Sequence, residues 1–156
     1  MKLTESEQLK TNTLATEIIG AAIEVHKELG AGLQKELYLD CLSYELELRG
    51  LCVLTNASQS IIYKEKEFQS SVLLELLVED EVAVLCEAVS EIEEIHVLKL
   101  LNQIKQADVK LGLIFNFAFS QHTMFTQTWK QESTEFSSTI VYSVDMKTTG
   151  GNIYHI

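Results

Sequence analysis

The succession of hydrophobic patterns along the chain predicts a mixed α/β fold, and three observations carry that expectation. Two stretches with apolar residues three and four apart come first, each closed by a glycine, Gly30 and Gly50. Residues 51–89 are then rich in Val, Ile, Leu, Tyr and Phe, broken by short polar segments. A third helical pattern leads into a short apolar strand at 111–117. Helix, helix, three or four strands, helix, strand is the order of a mixed α/β sandwich, and no internal repeat is visible.

The first helix is expected over 13–29, with Leu14, Ile18, Ala22, Val25 and Leu29 on one face. Thr11 to Thr13 supply an N-cap, and Gly30 is the left-handed stop. A second helix over 33–49 puts Leu33, Leu37, Cys41, Tyr44 and Leu48 on its inner face, with Gly30 and Gly32 making the corner between the helices. Strands follow at 51–55, 59–63 and 68–78. Lys64-Glu65-Lys66-Glu67 reads as a hairpin turn. A second hairpin centres on Glu79-Asp80-Glu81, between 72–78 and 82–89. The third helix, over 92–107, runs through Ile92, Ile95, Leu98 or Lys99, and Leu101 or Asn102. Of the 39 residues from 118 to 156, twelve are Ser or Thr and six are aromatic, too aromatic for a solvated linker. Residues 139–145 alternate as a strand. The chain therefore divides into a domain over 1–117 and an extension over 118–156 that packs on the core or on a partner.

Charge narrows the function. The 156 residues hold 12 Lys plus Arg against 23 Asp plus Glu, a net charge of −11, and Arg49 is the only arginine. That is a poor match for nucleic acid, whose binders release counterions from a basic face, and for anionic membranes. No apolar run is long enough for a transmembrane helix, and the first ten residues carry no secretory or transit signal. Cys41, Cys52 and Cys86 follow no metal or redox spacing and read as buried free thiols in a reducing, cytoplasmic compartment. No nucleophile triad, P-loop or dinucleotide fingerprint is present.

The run Ile18-Ile19-Gly20-Ala21-Ala22-Ile23-Glu24-Val25-His26-Lys27-Glu28-Leu29-Gly30-Ala31-Gly32-Leu33 closely resembles the start of the GxxExxY family of PD-(D/E)XK nuclease-like proteins. Tyr38 falls on the motif tyrosine. The likeness continues through Val78-Glu79-Asp80, the strand from Val82, and Leu111-Gly112-Leu113-Ile114-Phe115-Asn116-Phe117, covering about residues 16–117. The resemblance implies a restriction-endonuclease-like core, a four-stranded mixed sheet flanked by helices. It also implies a nuclease site in which carboxylates hold Mg²⁺ and a lysine orients the attacking water.

Position by position, the implied site is altered. The motif glutamate falls on Lys35. Its neighbour Glu36 is turned about 100° away on a helix. The strand aspartate falls on Glu75, and the following Glu-x-Lys on Leu85-Cys86-Glu87. The glutamine of the next helix falls on Lys99, and the tyrosine one turn later on Gln103. A three-residue turn at 79–81 sets Glu75 opposite Leu85. Leucine cannot ligate a metal, and Lys35 puts a cation where a ligand belongs. Lys35 or Lys99 is expected to replace the metal by pairing with Glu75 or Glu87, unless these side chains reach solvent separately.

Other chemistry-bearing residues have plainer readings. His26 and His96 read as structural, and His122 and His155 lie in the extension. Glu91, Glu93 and Glu94 suit the start of a helix dipole. Gly150-Gly151 is a turn. The expectation is a pseudoenzyme without cofactor, acting as an interaction or structural subunit. Its partner is a protein or larger assembly, with self-association open and nucleic acid and membrane disfavoured. Phe125, Trp129, Phe136 and Tyr142 are the candidate docking residues. The alternative is a Mg²⁺-dependent DNA or RNA nuclease with a rearranged ligand set drawn from Glu24, Glu36, Glu75 and Glu87. A third reading is small-molecule binding in the vacated pocket.

Overall fold

The computed structural model describes residues 5–109, 111–118, 124–130 and 140–146. Its elements are α1 (Glu5–Leu29), α2 (Lys35–Leu48), β1 (Val53–Tyr63), β2 (Lys66–Val78), β3 (Val82–Glu87), α3 (Glu94–Ala107), β4 (Leu111–Asn116), β5 (Met124–Lys130) and β6 (Ile140–Met146). The strands form one sheet in the order β1-β2-β3-β4-β6-β5. Pairing is antiparallel at β1/β2, β2/β3 and β5/β6, and parallel at β3/β4 and β4/β6. The mixed α/β class is as the sequence predicts. The sheet, however, has six strands among the described residues rather than four, because β5 and β6 extend it beyond β4.

Helices cover both faces. Val82, Val84 and Cys86 of β3 join Leu111, Leu113 and Phe115 of β4 in a core under α1 and α2. Ala83, Leu85 and Ile114 point the other way, against Val97, Leu100 and Ile104 of α3. Every residue of β3 and β4 is buried, as expected of neighbouring strands covered on both sides. α3 lies so close to β4 that a Cβ at Gly112 would overlap Ile104 Cδ1 and lie 2.8 Å from Leu100 Cδ2. Among the described residues no helix is long and apolar enough to cross a membrane.

Several local expectations need correction. α1 begins at Glu5, so the threonines expected to cap it lie inside the helix. Thr13 and Thr16 bond back to the carbonyls of Leu9 and Asn12, each at 2.9 Å, which a helical threonine can do instead of capping. In α2 the buried residues are Tyr38, Leu39, Leu42 and Leu46, while Leu33, Leu37, Tyr44 and Leu48 are exposed and Cys41 is half-buried. Two apolar stripes run along this helix, and the one that includes Tyr38 faces the core. α3 shows the same phase error: Val97, Leu100, Gln103 and Ile104 are buried, and Ile95 and Leu98 are exposed. The expected strands 51–55 and 59–63 are one strand, bent where the register shifts between Ser58 and Gln59. Of the three free cysteines only Cys86 is buried; Cys52 is exposed.

Candidate functional site

The site forms where β2 and β3 part. Their ladder ends at the pair Leu76–Val84, and one further step in the same register sets Glu75 opposite Leu85. Beyond that pair the Cys86 N–H takes a side-chain partner, Glu75 Oε2, at 3.4 Å. The other carboxylate oxygen, Oε1, turns to the lysines. Glu87, the last residue of β3, brings a second carboxylate to the same place. Both glutamate side chains are nearly buried, at 11% and 8% exposure.

Two ammonium groups enter from opposite layers. Lys35, the first residue of α2, sets Nζ 2.9 Å from Glu75 Oε1 and 3.7 Å from Glu87 Oε1. Lys99, in the second turn of α3, sets Nζ 3.4 Å from Glu75 Oε1 and 3.9 Å from Glu87 Oε1. Each lysine is thus within ion-pair distance of both carboxylates, and the four formal charges sum to zero. The lysines are 30% and 42% exposed, so their stems run from solvent toward a shielded pair of acids. Burial works against the charge on Lys35. The hydrogen bond to Glu75 and the charges of Glu75, Glu87 and Glu36 together outweigh it, and the Lys35 pKa is raised. Cys86, next to these acids, has its thiol pushed up, first by burial and then by the Glu75 charge.

The corner before α2 is held by Tyr38. Its hydroxyl donates to the Gly30 carbonyl at 2.6 Å and accepts from the Leu33 N–H at 3.2 Å. The fully buried ring stacks on Phe117, with centroids 4.5 Å apart and planes 4° from parallel. Gly30 and Gly32 both have positive φ there, which suits residues without a Cβ. Tyr38 therefore fixes the backbone two residues ahead of Lys35. On the far side, the buried Asn116 ties down the segment after β3. Its Nδ2 donates to the Val89 carbonyl at 2.8 Å, and its Oδ1 accepts from Val89 and Ala118 N–H groups. Asn116 had no assigned role in the sequence. The signal was there, since a lone amide inside an otherwise apolar strand must find hydrogen bonds when buried.

A mixed sheet whose second and third strands part at a carboxylate-bearing seam is the setting of a known group of folds. A family model described as PD-(D/E)XK nuclease superfamily matches residues 12–128. The chain belongs to the PD-(D/E)XK nuclease superfamily. No curated protein and no solved structure matches it. The superfamily implies a divalent cation, and the donors here do not fit one as they stand. The Oε1 atoms of Glu75 and Glu87 each already lie within 4 Å of two ammonium groups. Leu85, at the facing position, is fully buried against the α3 layer and offers no oxygen. Among the described residues no three His, Cys, Asp or Glu side chains group as a metal site.

The structure thus brings Lys35, Glu75, Leu85, Glu87 and Lys99 together, and both lysines take part in the pairing. It leaves Glu36 exposed on α2 and Glu24 half-buried on α1, neither within an ion pair of this group among the described residues. Gln103 is buried one turn beyond Lys99. His26 is buried on α1, its ring 6.1 Å from Phe117, and His96 Nδ1 accepts the Glu93 N–H at the start of α3. Phe125 and Trp129 lie on β5 and Tyr142 on β6. Phe136, with His122, His155 and Gly150-Gly151, falls outside the described residues.

Proposed function

We propose that this protein is a non-cleaving member of the PD-(D/E)XK superfamily, of the GxxExxY type. It serves as an interaction or structural subunit that engages a protein partner through its C-terminal extension. One observation carries the loss of catalysis: the ammonium groups of Lys35 and Lys99 lie within 4 Å of both Glu75 and Glu87. Two fixed cations beside these acids supply the positive charge that a nuclease obtains from metal. An ammonium accepts no lone pair, so it neither activates water nor polarises a phosphate as Mg²⁺ does. A net charge of −11 with one arginine agrees, since phosphate is held by basic forks and clusters. On this reading the protein works without a cofactor, in a reducing compartment that keeps its thiols free. The docking residues are Phe125 and Trp129 on β5, the outermost strand on that side, with Phe136 and Tyr142.

The test is direct. The full chain, given Mg²⁺ or Mn²⁺ with single- and double-stranded DNA and RNA, should cut none of them. Metal-dependent cleavage that Glu75→Ala abolishes would establish the alternative, a nuclease with a rearranged site that includes Glu36, Glu75 and Glu87. For the docking segment, Phe125→Ala with Trp129→Ala should release a co-purifying protein while leaving the thermal midpoint in place. Retention of that protein, or loss of the fold, would move these side chains from interface to core.

A further inference from the structure

We propose that the outer face of α2 docks an amphipathic helix of a partner protein, one whose apolar stripe is flanked by Lys or Arg. This inference is independent of the catalytic reading and of the C-terminal extension, because it rests on α2 alone. Of the two apolar stripes on that helix, one is buried through Tyr38, Leu39, Leu42 and Leu46. The other turns outward: Leu37, Tyr44 and Leu48 are 45%, 63% and 63% exposed, with Cys41 half-buried between them. Single apolar side chains on a surface are ordinary, whereas a continuous line of them marks a contact surface.

The spacing of that line points to a helix as its occupant. Leu37, Cys41, Tyr44 and Leu48 are four, three and four residues apart, the alternation by which one helix seats along another. At 100° per residue the four fall within an arc of about 60°. A strip so narrow is the seam of a two-helix contact, not the broad face that a helix lays on a core. From Leu37 to Leu48 it runs about 17 Å, the length of three turns of a partner helix. A contact of that size belongs to the small, transient class.

Charge selects the partner's chemistry. Glu36, Asp40 and Glu47, all exposed, line one side of the strip within an arc of about 40°. Among the described residues none of the three is in an ion pair. On the other side Glu45 is already matched by Arg49, at 3.0 Å. The cations at the two ends of α2 are thus engaged, Lys35 with Glu75 and Glu87, and Arg49 with Glu45. A second copy does not suit this face. Laid antiparallel, the two acidic sides meet each other; laid parallel, each meets the Glu45 side, and α2 offers neither an unpaired cation. Anionic lipid is repelled in the same way. A helix with basic flanks covers the apolar strip and supplies the missing charge together.

Fluorescence anisotropy with the full chain in about 0.15 M salt tests this. The probe is a labelled three-heptad helical peptide with Leu at the two seam positions and Lys on both flanks, beside a twin with Glu on the flanks. The Lys peptide should bind the unaltered chain at least about tenfold more tightly than the Glu peptide. Tyr44→Ala with Leu48→Ala should weaken that binding by about tenfold or more. Asp40→Lys with Glu47→Lys should reverse the preference between the twins. The same charge change at the β1–β2 hairpin tip, Glu65→Lys with Glu67→Lys, should leave both affinities within about twofold. Every altered side chain is exposed, so circular dichroism should stay unchanged throughout. No binding of the Lys peptide up to about 500 μM, equal affinity for the twins, or indifference to the Tyr44 and Leu48 changes would each overturn the proposal. An equal loss in the hairpin-tip variant would do so too, by reducing the binding to general attraction. A dimer of the chain itself, seen by sedimentation and broken by Tyr44→Ala, would make a second copy the occupant instead.

Discussion

Lys35 Nζ lies 2.9 Å from Glu75 Oε1, joining the first residue of a helix to a strand residue forty positions away in sequence. Its weight comes from the surroundings. Glu75 and Glu87 are shielded from water, and each depends on ammonium groups to offset the other's charge.

Removing one cation should therefore cost more than an exposed salt bridge does. Lys35→Met is expected to lower unfolding stability by about 2–3 kcal/mol, below the 3–5 of a wholly buried pair because Lys35 is 30% exposed. Adding Glu75→Gln should recover part of that loss. Urea unfolding of the four proteins in this double-mutant cycle measures the coupling, and strict additivity would show the pair to be energetically idle.

The same contact sets a pH dependence. Lys35 holds its proton more tightly folded than unfolded, so its contribution is complete below the ordinary lysine value of 10.5. It is lost as pH rises through the higher folded value. The stability gap between wild type and Lys35→Met should be flat at neutral pH and shrink above about pH 10. Unfolding curves across that range check it, and a gap that widens with pH would contradict the sign.

Tyr38→Phe keeps the stack on Phe117 and removes the hydroxyl that joins Gly30 to Leu33. A loss of about 1–2 kcal/mol is expected. Faster hydrogen exchange should appear at the Leu33 amide, with β4 amides unaffected.

Gly112→Ala tests the approach of α3 to the sheet. The new methyl would collide with Ile104 Cδ1 and Leu100, so a loss of about 1–3 kcal/mol should follow. Ile104→Val removes the colliding methyl, and the double variant should be more stable than Gly112→Ala alone.

Much of this was legible in the chain because the signals were local. The glycine-closed helices, the charged turn at 79–81 and the apolar strand of β4 follow from spacing and turn chemistry. The 79–81 turn also fixed the facing of Glu75 and Leu85 in advance. Helix phase was harder. α2 carries two apolar stripes, and only tertiary packing decides that Tyr38, Leu42 and Leu46 face inward while Tyr44 and Leu48 do not. The polar centre of β1 looked like a break, because a half-exposed edge strand needs no apolar residue there. Motif positions located Lys35, Glu75, Glu87 and Lys99, but no pattern stated that both lysines converge. That depends on how two helices on opposite faces of the sheet each bring a lysine to the end of the β2–β3 ladder.

The β2–β3 ladder stops at Leu76–Val84, and the lysine–glutamate group takes over just beyond it. One cation belongs to the α2 layer and the other to the α3 layer, and both grip acids carried by the sheet between them. The arrangement is a rivet driven through the fold. Unlike a bound ion, a rivet made of side chains cannot dissolve into the surroundings, so its grip is indifferent to chelators and to the supply of magnesium.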